Sequence, residues 1–228
     1  MNTDIILGKT MTHLVPLEGT KFLVHFQMRE DFLKLQKRAS EAGFNLQVIS
    51  AFRDYDRQLK IWNAKARGER TLMDDYGSPL IYQVLTPTEV MFSILRWSAL
   101  PGASRHHWGS DIDIFDERTQ KSEDVELTPQ ECENGGPAAE LHDWLDIQIN
   151  NNQSFGFFRP FSTDTSGVSP ERWHLSYWPV SHKLSEQYTF DLFKKNIEES
   201  SLELKEIVLE NLQLIYKKYV MSFDLPPF

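Results

Sequence analysis

The stretch SRHHWGSDIDIFD, Ser104–Asp116, puts two histidines, a glycine and three aspartates into thirteen residues. No other run limits the fold as much, because it asks for a turn and then a strand with acids at alternate positions. On its own it reads equally well as a polar loop entering a half-buried strand, since His and Asp are both common in loops. A second cluster decides between the two. Residues Pro170–Trp178 read PERWHLSYW, with Glu171 three positions before His174. Glu-x-x-His is weak alone, and a lone strand histidine is more often a hydrogen-bonded core residue. Taken together, the clusters offer His106, Asp113 and His174 as three ligands of nitrogen and oxygen type with one position left open. That is the composition of a catalytic zinc site, not of a closed structural one. Glu171 is then the spare carboxylate beside the metal, available as general base.

The totals exclude several classes. A chain of 228 residues is long enough for a real core. Its net charge of −9 argues against a nucleic-acid partner, which wants a basic face. Cys132 is the only cysteine, so intrachain disulfides and zinc–thiolate motifs are out. The start MNTDIILGKTMTHLVPLEG lacks the cationic opening and apolar run of a signal peptide. The longest apolar segment, VMFSILRWSAL, is short for a membrane span and is broken by Arg96. The expectation is a cytoplasmic protein, or an exported one whose signal has been removed.

Periodicity gives the organisation. Met28, Phe32, Leu35, Ala39 and Ala42 fall at helical spacing with Gly43 as a stop. FNLQVISAF alternates as a strand does, and Asp54 caps a helix carrying Tyr55, Leu59, Trp62 and Ala66. Residues 68–85 read as a long loop, and Thr86 with Pro87 opens the helix TPTEVMFSILRWSAL. Residues 117–136 are turn-rich, PAAELHDWLDIQI reads as a helix, and GFFRPF and WHLSYW are short strands. Helices first and antiparallel strands later point to an α+β fold with a small sheet flanked by helices. From about residue 182 the chain is helical and charged. Its stripe Leu204, Val208, Leu212, Ile215 and Tyr219 serves either packing on the preceding domain or a dimer contact. The division expected is a catalytic domain over 1–180 and a helical C-terminal extension over 181–228, in a monomer or weak dimer.

At this point the motifs carry a resemblance. Ser104, His106, Gly109 and Asp113 fit Ser-x-His-x-x-Gly-x-x-x-Asp, Glu-x-x-His follows, and SAFRDYDRQ (residues 50–58) is similar to a Ser-Gly-Tyr-Arg segment with a following glutamine. The chain thus resembles, over roughly residues 25–180, the D-alanyl-D-alanine carboxypeptidase family of zinc peptidases, VanY-like enzymes of vancomycin resistance among them. The wider fold group includes lysostaphin-type peptidases and Hedgehog domains. The resemblance implies zinc as cofactor and a peptidoglycan-type peptide as partner, cut at its terminal D-Ala-D-Ala bond. It implies Glu171 as general base and Arg53 as the cation facing the developing oxyanion. Gln58 and Ser104 would bind the substrate's terminal carboxylate, or else serve as plain cap and turn residues. The family usually has alanine where this chain has Asp111. Sharing a face with Asp113, Asp111 would orient a ligand histidine, contact the substrate, or reach solvent.

Other residues are open. His107 points away from the ligands if the backbone is extended, Trp108, Trp173 and Tyr177 line the cleft or fill the core, and His142 reads as solvated. Asp116 and Glu117 join no motif. Within enzymes the rival is an L-alanyl-D-glutamate endopeptidase; outside them, a zinc-containing binding module without turnover. An acidic chain without a basic patch is also poorly suited to anionic wall polymers, which favours short soluble peptides.

Overall fold

The architecture was obtained as a computed structural model, which describes residues 3–133 and 135–228. A short helix α1 (Thr3–Ile6) and a hairpin of β1 (Leu14–Pro16) and β2 (Leu23–His25) precede helix α2 (Arg29–Glu41). Strand β3 (Leu46–Ser50) and helix α3 (Tyr55–Ala66) follow, then a long loop and helix α4 (Pro87–Trp97). Strand β4 (Asp111–Asp116), the one-turn helix α5 (Pro129–Cys132), helix α6 (Ala139–Asn150), and strands β5 (Phe157–Phe158) and β6 (His174–Tyr177) complete the sheet region. Helices α7 (Trp178–Gln187), α8 (Phe190–Glu199), α9 (Lys205–Glu210) and α10 (Leu212–Ile215) end the fold, the last running into a π-turn at Tyr216–Val220.

The main sheet has the order β3-β4-β6-β5, antiparallel throughout. Central β4 is buried at all six positions. Ile112 and Ile114 enter one core with Phe32 and Leu35 of α2, Leu141 and Leu145 of α6, and Leu175 of β6. Asp111 and Asp113 point to the opposite face, because successive strand residues alternate. The fold is α+β, but the strands are not gathered late in the chain. The N-terminal hairpin was not foreseen, since three-residue strands are too short to show an alternation. The expected strand through Trp178 also stops earlier, because α7 begins there with Pro179 at its start.

The cap signals hold. Asp54 accepts from the backbone of Arg57 at 2.7 Å, and Thr86 and Glu89 form a capping box. A second box, Thr128 with Glu131, folds α5 out of a stretch that reads as turns alone. His142, expected in solvent, is fully buried beside Arg159. Asp116 is buried too and binds Arg118 and the backbone of Asn45.

The C-terminal stripe is covered by the chain itself. Val208, Leu212 and Ile215, with Phe193 and Ile197, share a second core with Ile6, Trp62, Met91 and Ile94. The helical stripe is broken at Asn211, and Leu204 enters α9 in a left-handed conformation. No helix among the described residues is long and apolar enough to cross a membrane.

If these helices are integral to the fold, Phe193→Ala should cost about 3–5 kcal/mol, the usual penalty for an emptied aromatic core site. Urea denaturation measures it. A loss under about 1 kcal/mol would mean that α8 is only loosely attached.

Candidate metal centre

The site is built on register. In the antiparallel pairing of β4 and β6, Asp113 lies directly opposite His174 and Asp111 opposite Ser176. The third candidate ligand, His106, comes from a 3-10 turn, Arg105–Trp108, that leads into β4. Gly109 ends that turn in the left-handed region at φ +67°, where a Cβ would stand 2.4 Å from Leu14 Cδ2. Its carbonyl accepts from the amide of His25 at 2.7 Å, so only glycine lets the turn press against the N-terminal hairpin.

His106 Nδ1 lies 3.0 Å from the carbonyl of Ala51, which directs Nε2 at Asp113 Oδ2, 3.3 Å away. His174 is oriented the other way round. Its Nε2 is 3.0 Å from Asp111 Oδ1, leaving Nδ1 3.4 Å from Asp113 Oδ1. One ligand atom from each of the three residues lies within 4.8 Å of the others. Tetrahedral zinc with bonds of about 2.0–2.1 Å separates its ligand atoms by about 3.3–3.4 Å, the spacing of each histidine from the Asp113 oxygen nearest to it. Asp113 Oδ1 is moreover buried without a hydrogen-bond partner among the described residues, the state of an acceptor that awaits a cation. With three protein donors of N, O and N type, the set suits zinc with an open position.

Charge supports the same arrangement. Burial pushes the Asp113 carboxyl up, but His106 and His174 outweigh it and hold the group well below the usual range. Burial would lower His174, yet the surrounding carboxylates of Asp111, Asp113 and Glu171 raise it well above the ordinary value. Glu171 stands on the turn before β6, its carboxylate 3.4 Å from His174 Nδ1.

These residues line a cleft of about 470 Å³ together with Arg53, Lys65, Ser104, Phe161 and Trp173, and with Tyr219 from the C-terminal region. Arg53 donates to Gln58 Oε1 at 2.9 Å and to Ser50 Oγ at 3.3 Å instead of pairing with Asp54 or Asp56. Ser104 borders the cleft.

Gln58 and Asp111, offered as substrate contacts, both lie buried behind the cleft. Gln58 is 0% exposed and outside the cleft wall, its amide nitrogen given to the carbonyl of Ala99 at 2.7 Å and its oxygen to Arg53. It positions the arginine. Asp111 is also 0% exposed, held by Arg105 Nε at 2.8 Å and Ser110 Oγ at 2.8 Å while it orients His174. Neither reaches solvent.

His107 is not on extended backbone and not at the surface. Burial pushes it to about 3, so the neutral ring accepts from Gly102 N at 3.0 Å and donates to the carbonyl of Arg53 at 2.5 Å. It thereby fixes the backbone that carries Arg53. Of the three aromatics, Trp173 lines the cleft, Trp108 donates to the carbonyl of Ile6, and Tyr177 binds Asp31 from the core.

Sequence reasoning missed Arg105 and Lys65. Arg105 sits between the rings of Trp108 and Phe223, each 4.8 Å from its guanidinium carbon, and donates to Ser176 Oγ at 2.7 Å. The one clue was an acid six residues later on a strand that proved buried. Lys65 lies seven residues after Gln58 and four after Ile61, which places all three on one helix face.

Known proteins are similar in the same region. An uncharacterized protein of Haemophilus influenzae is 43% identical over 103 residues, 44% of this chain and 70% of that protein. Among solved structures, VanYB in complex with D-alanine-D-alanine superimposes with a TM-score of 0.53 at 22% identity, covering 86% of this chain and 87% of that one. A variant of the vancomycin-resistance D,D-pentapeptidase VanY in complex with Zn(II) gives a TM-score of 0.52 at 21% identity, over 87% and 92% of the two chains. At this identity the two superpositions speak for the fold. The family model for VanY, D-alanyl-D-alanine carboxypeptidase, matches residues 21–180, well over half of the sequence, and the chain belongs to that family.

Proposed function

We propose that this chain is a zinc-dependent D,D-carboxypeptidase that releases the terminal D-alanine from peptidoglycan-type peptides. The observation that carries the reading is the convergence of His106, Asp113 and His174 in a cleft where Glu171 stands 3.4 Å from a ligand atom. The Zn(II) complex of the VanY variant and the D-alanine-D-alanine complex of VanYB support the choice of metal and of peptide. A module that only binds would need neither the spare carboxylate nor an arginine held toward the cleft by two hydrogen bonds.

Zinc, when bound, supplies Lewis acidity, polarising the scissile carbonyl and lowering the pKa of water from near 16 to about 7. The chain does the rest. Glu171 takes the proton released by the attacking water and passes it to the leaving amine. Arg53 offers its positive charge to the oxygen that becomes anionic, and its fixed geometry spares reorganisation during the reaction. Asp111 keeps the Nδ1 of His174 free by engaging Nε2, and Arg105 compensates the buried carboxylate. Ser104, at the cleft, is available to the substrate. The net charge of −9 favours short peptides over an anionic wall polymer.

Zinc analysis of the purified protein should find about one ion per chain, and His174→Ala should remove most of it. Glu171→Gln should keep the metal while turnover falls about 100- to 10,000-fold. Metal lost in Glu171→Gln but kept in His174→Ala would reverse their roles. Arg53→Ala should lower kcat about 100- to 1,000-fold, and a change confined to KM would reduce it to a binding residue.

Asp111→Asn should weaken zinc affinity about 10- to 100-fold in chelator competition. Because His174 holds its proton tightly without metal, zinc uptake at pH 7 should release about one proton, measured by calorimetry in two buffers. Acidification should then drive the metal off.

A muramyl pentapeptide should yield free D-alanine, its C-terminally amidated analogue little, and a peptide with an internal L-Ala-D-Glu bond none. Equal cleavage of the free and amidated peptides, or preferred cutting at L-Ala-D-Glu, would make the enzyme an endopeptidase.

A further inference from the structure

Three cations on the cleft wall, Arg53, Lys65 and Arg70, have no carboxylate partner within 4.0 Å among the described residues. Arg70 is exposed and Arg53 is tied to Gln58 and Ser50, but Lys65 is different. It stands half-buried on the last turn of α3, with its Nζ donating to Ser98 Oγ at 2.8 Å. Burial first, then the guanidinium groups of Arg70 and Arg53, push it down to about 8. A hydroxyl satisfies one N–H and neutralises nothing. An ammonium withdrawn from water without a counter-ion is costly, so such groups are normally paired. Completing the helix dipole does not explain it, because a last-turn lysine does that from solvent.

The anions of the cleft are committed elsewhere. Asp113 belongs to the metal set and Glu171 to the water, while Glu126 lies exposed at the wall. Gln58, the side chain expected to take a substrate carboxylate, has spent its amide on Arg53 and Ala99. The cleft therefore has a cation without an anion of its own, and of the two side chains expected to take the carboxylate only the neutral Ser104 reaches the cleft wall.

We propose that Lys65, steadied by Ser98, is the specificity-determining residue of this cleft, its ammonium receiving the C-terminal carboxylate of the peptide. The proposal rests on the carboxypeptidase reading and deepens it, since it names the group that separates a free chain end from an internal bond.

The test uses the zinc-loaded protein and its Lys65→Met and Lys65→Arg variants with a pentapeptide ending in D-Ala-D-Ala and the C-terminal amide of the same peptide. Equilibrium binding of both peptides is measured in parallel in a Glu171→Gln background, through the fluorescence of Trp97 and Trp173, which line the cleft. Lys65→Met should raise KM, and the Kd in the inactive background, about 10- to 100-fold for the free acid, the size of one lost charged hydrogen bond. The amide should change by less than about twofold, and Lys65→Arg should keep most of the preference. Since methionine removes a half-buried charge without a counter-ion, Tm should hold or rise, whereas a structural lysine would lower it on removal. Should Lys65→Met fail to fold, Lys65→Gln is measured in its place. Equal weakening of both peptides, or an undiminished preference for the free acid, overturns the proposal. If the unaltered protein releases D-alanine from neither peptide, the carboxypeptidase reading fails, and the binding comparison still decides Lys65. A preference for the free acid that vanishes in Lys65→Met upholds it, and no preference in the parent overturns it.

Discussion

Everything at the metal centre depends on one cross-strand pair. Asp113 and His174 face each other because β4 and β6 pair antiparallel in that register and no other. A slip of one residue would turn Asp113 into the core and Ile112 or Ile114 into the cleft, against the hydrophobic pattern of the whole strand. The register is thus locked by apolar side chains on the face away from the site. On the other flank, β3 shifts register between Val48 and Ser50, so that Ser50 lies beside Asp113. The chain then leaves the sheet toward Arg53, and the irregularity re-aims it at the cleft.

The same strand carries the main energetic burden. Asp111 and Asp113 are both removed from water, and carboxylates there persist only when paired. The chain solves the two cases differently. Asp111 is given a full set of partners in Arg105, Ser110 and His174, whereas one oxygen of Asp113 is left without any. The contrast separates a supporting carboxylate from a ligand. Histidines follow a similar logic, since His106 and His174 each have one nitrogen anchored, to a carbonyl and to a carboxylate, and the other aimed at Asp113.

The candidate ligands, the carboxylate beside them and most helices were legible because each rests on local spacing. Asp113 and His106 are seven residues apart, Glu171 and His174 three, and capping residues announce themselves within one turn. Gln58 and Asp111 were identified as members of the site, but of the roles open to Asp111 the structure has the contact to His174, and Gln58 stands behind Arg53. Whether a polar side chain faces substrate or stands behind the residue that does is a matter of tertiary packing, and the spacing is the same in both cases. Of the supporting and surface roles open to His107 the structure has the first, because alternation assumes extended backbone and the 3-10 turn at Arg105–Trp108 rotates it inward. His142 reads as exposed because acids flank it, although the helix turns only those neighbours outward. Lys65 was invisible since a basic last turn needs no further explanation in sequence.

The segment at Phe223 and Asp224 touches the ligand histidine along two routes. Phe223 covers Arg105, which holds Asp111 against His174. Asp224 accepts from the hydroxyl of Ser162 at 2.6 Å and from the amides of Ser162 and Thr163, next to Phe161, whose ring meets His174 edge-on. Such coupling is reciprocal by thermodynamic necessity. If the centre takes its metal, whatever loosens this segment, a proteolytic nick or a bulky fusion, should draw down affinity there, and filling the centre should protect the segment in return. A stretch remote in sequence from every ligand is in this sense a reporter of occupancy.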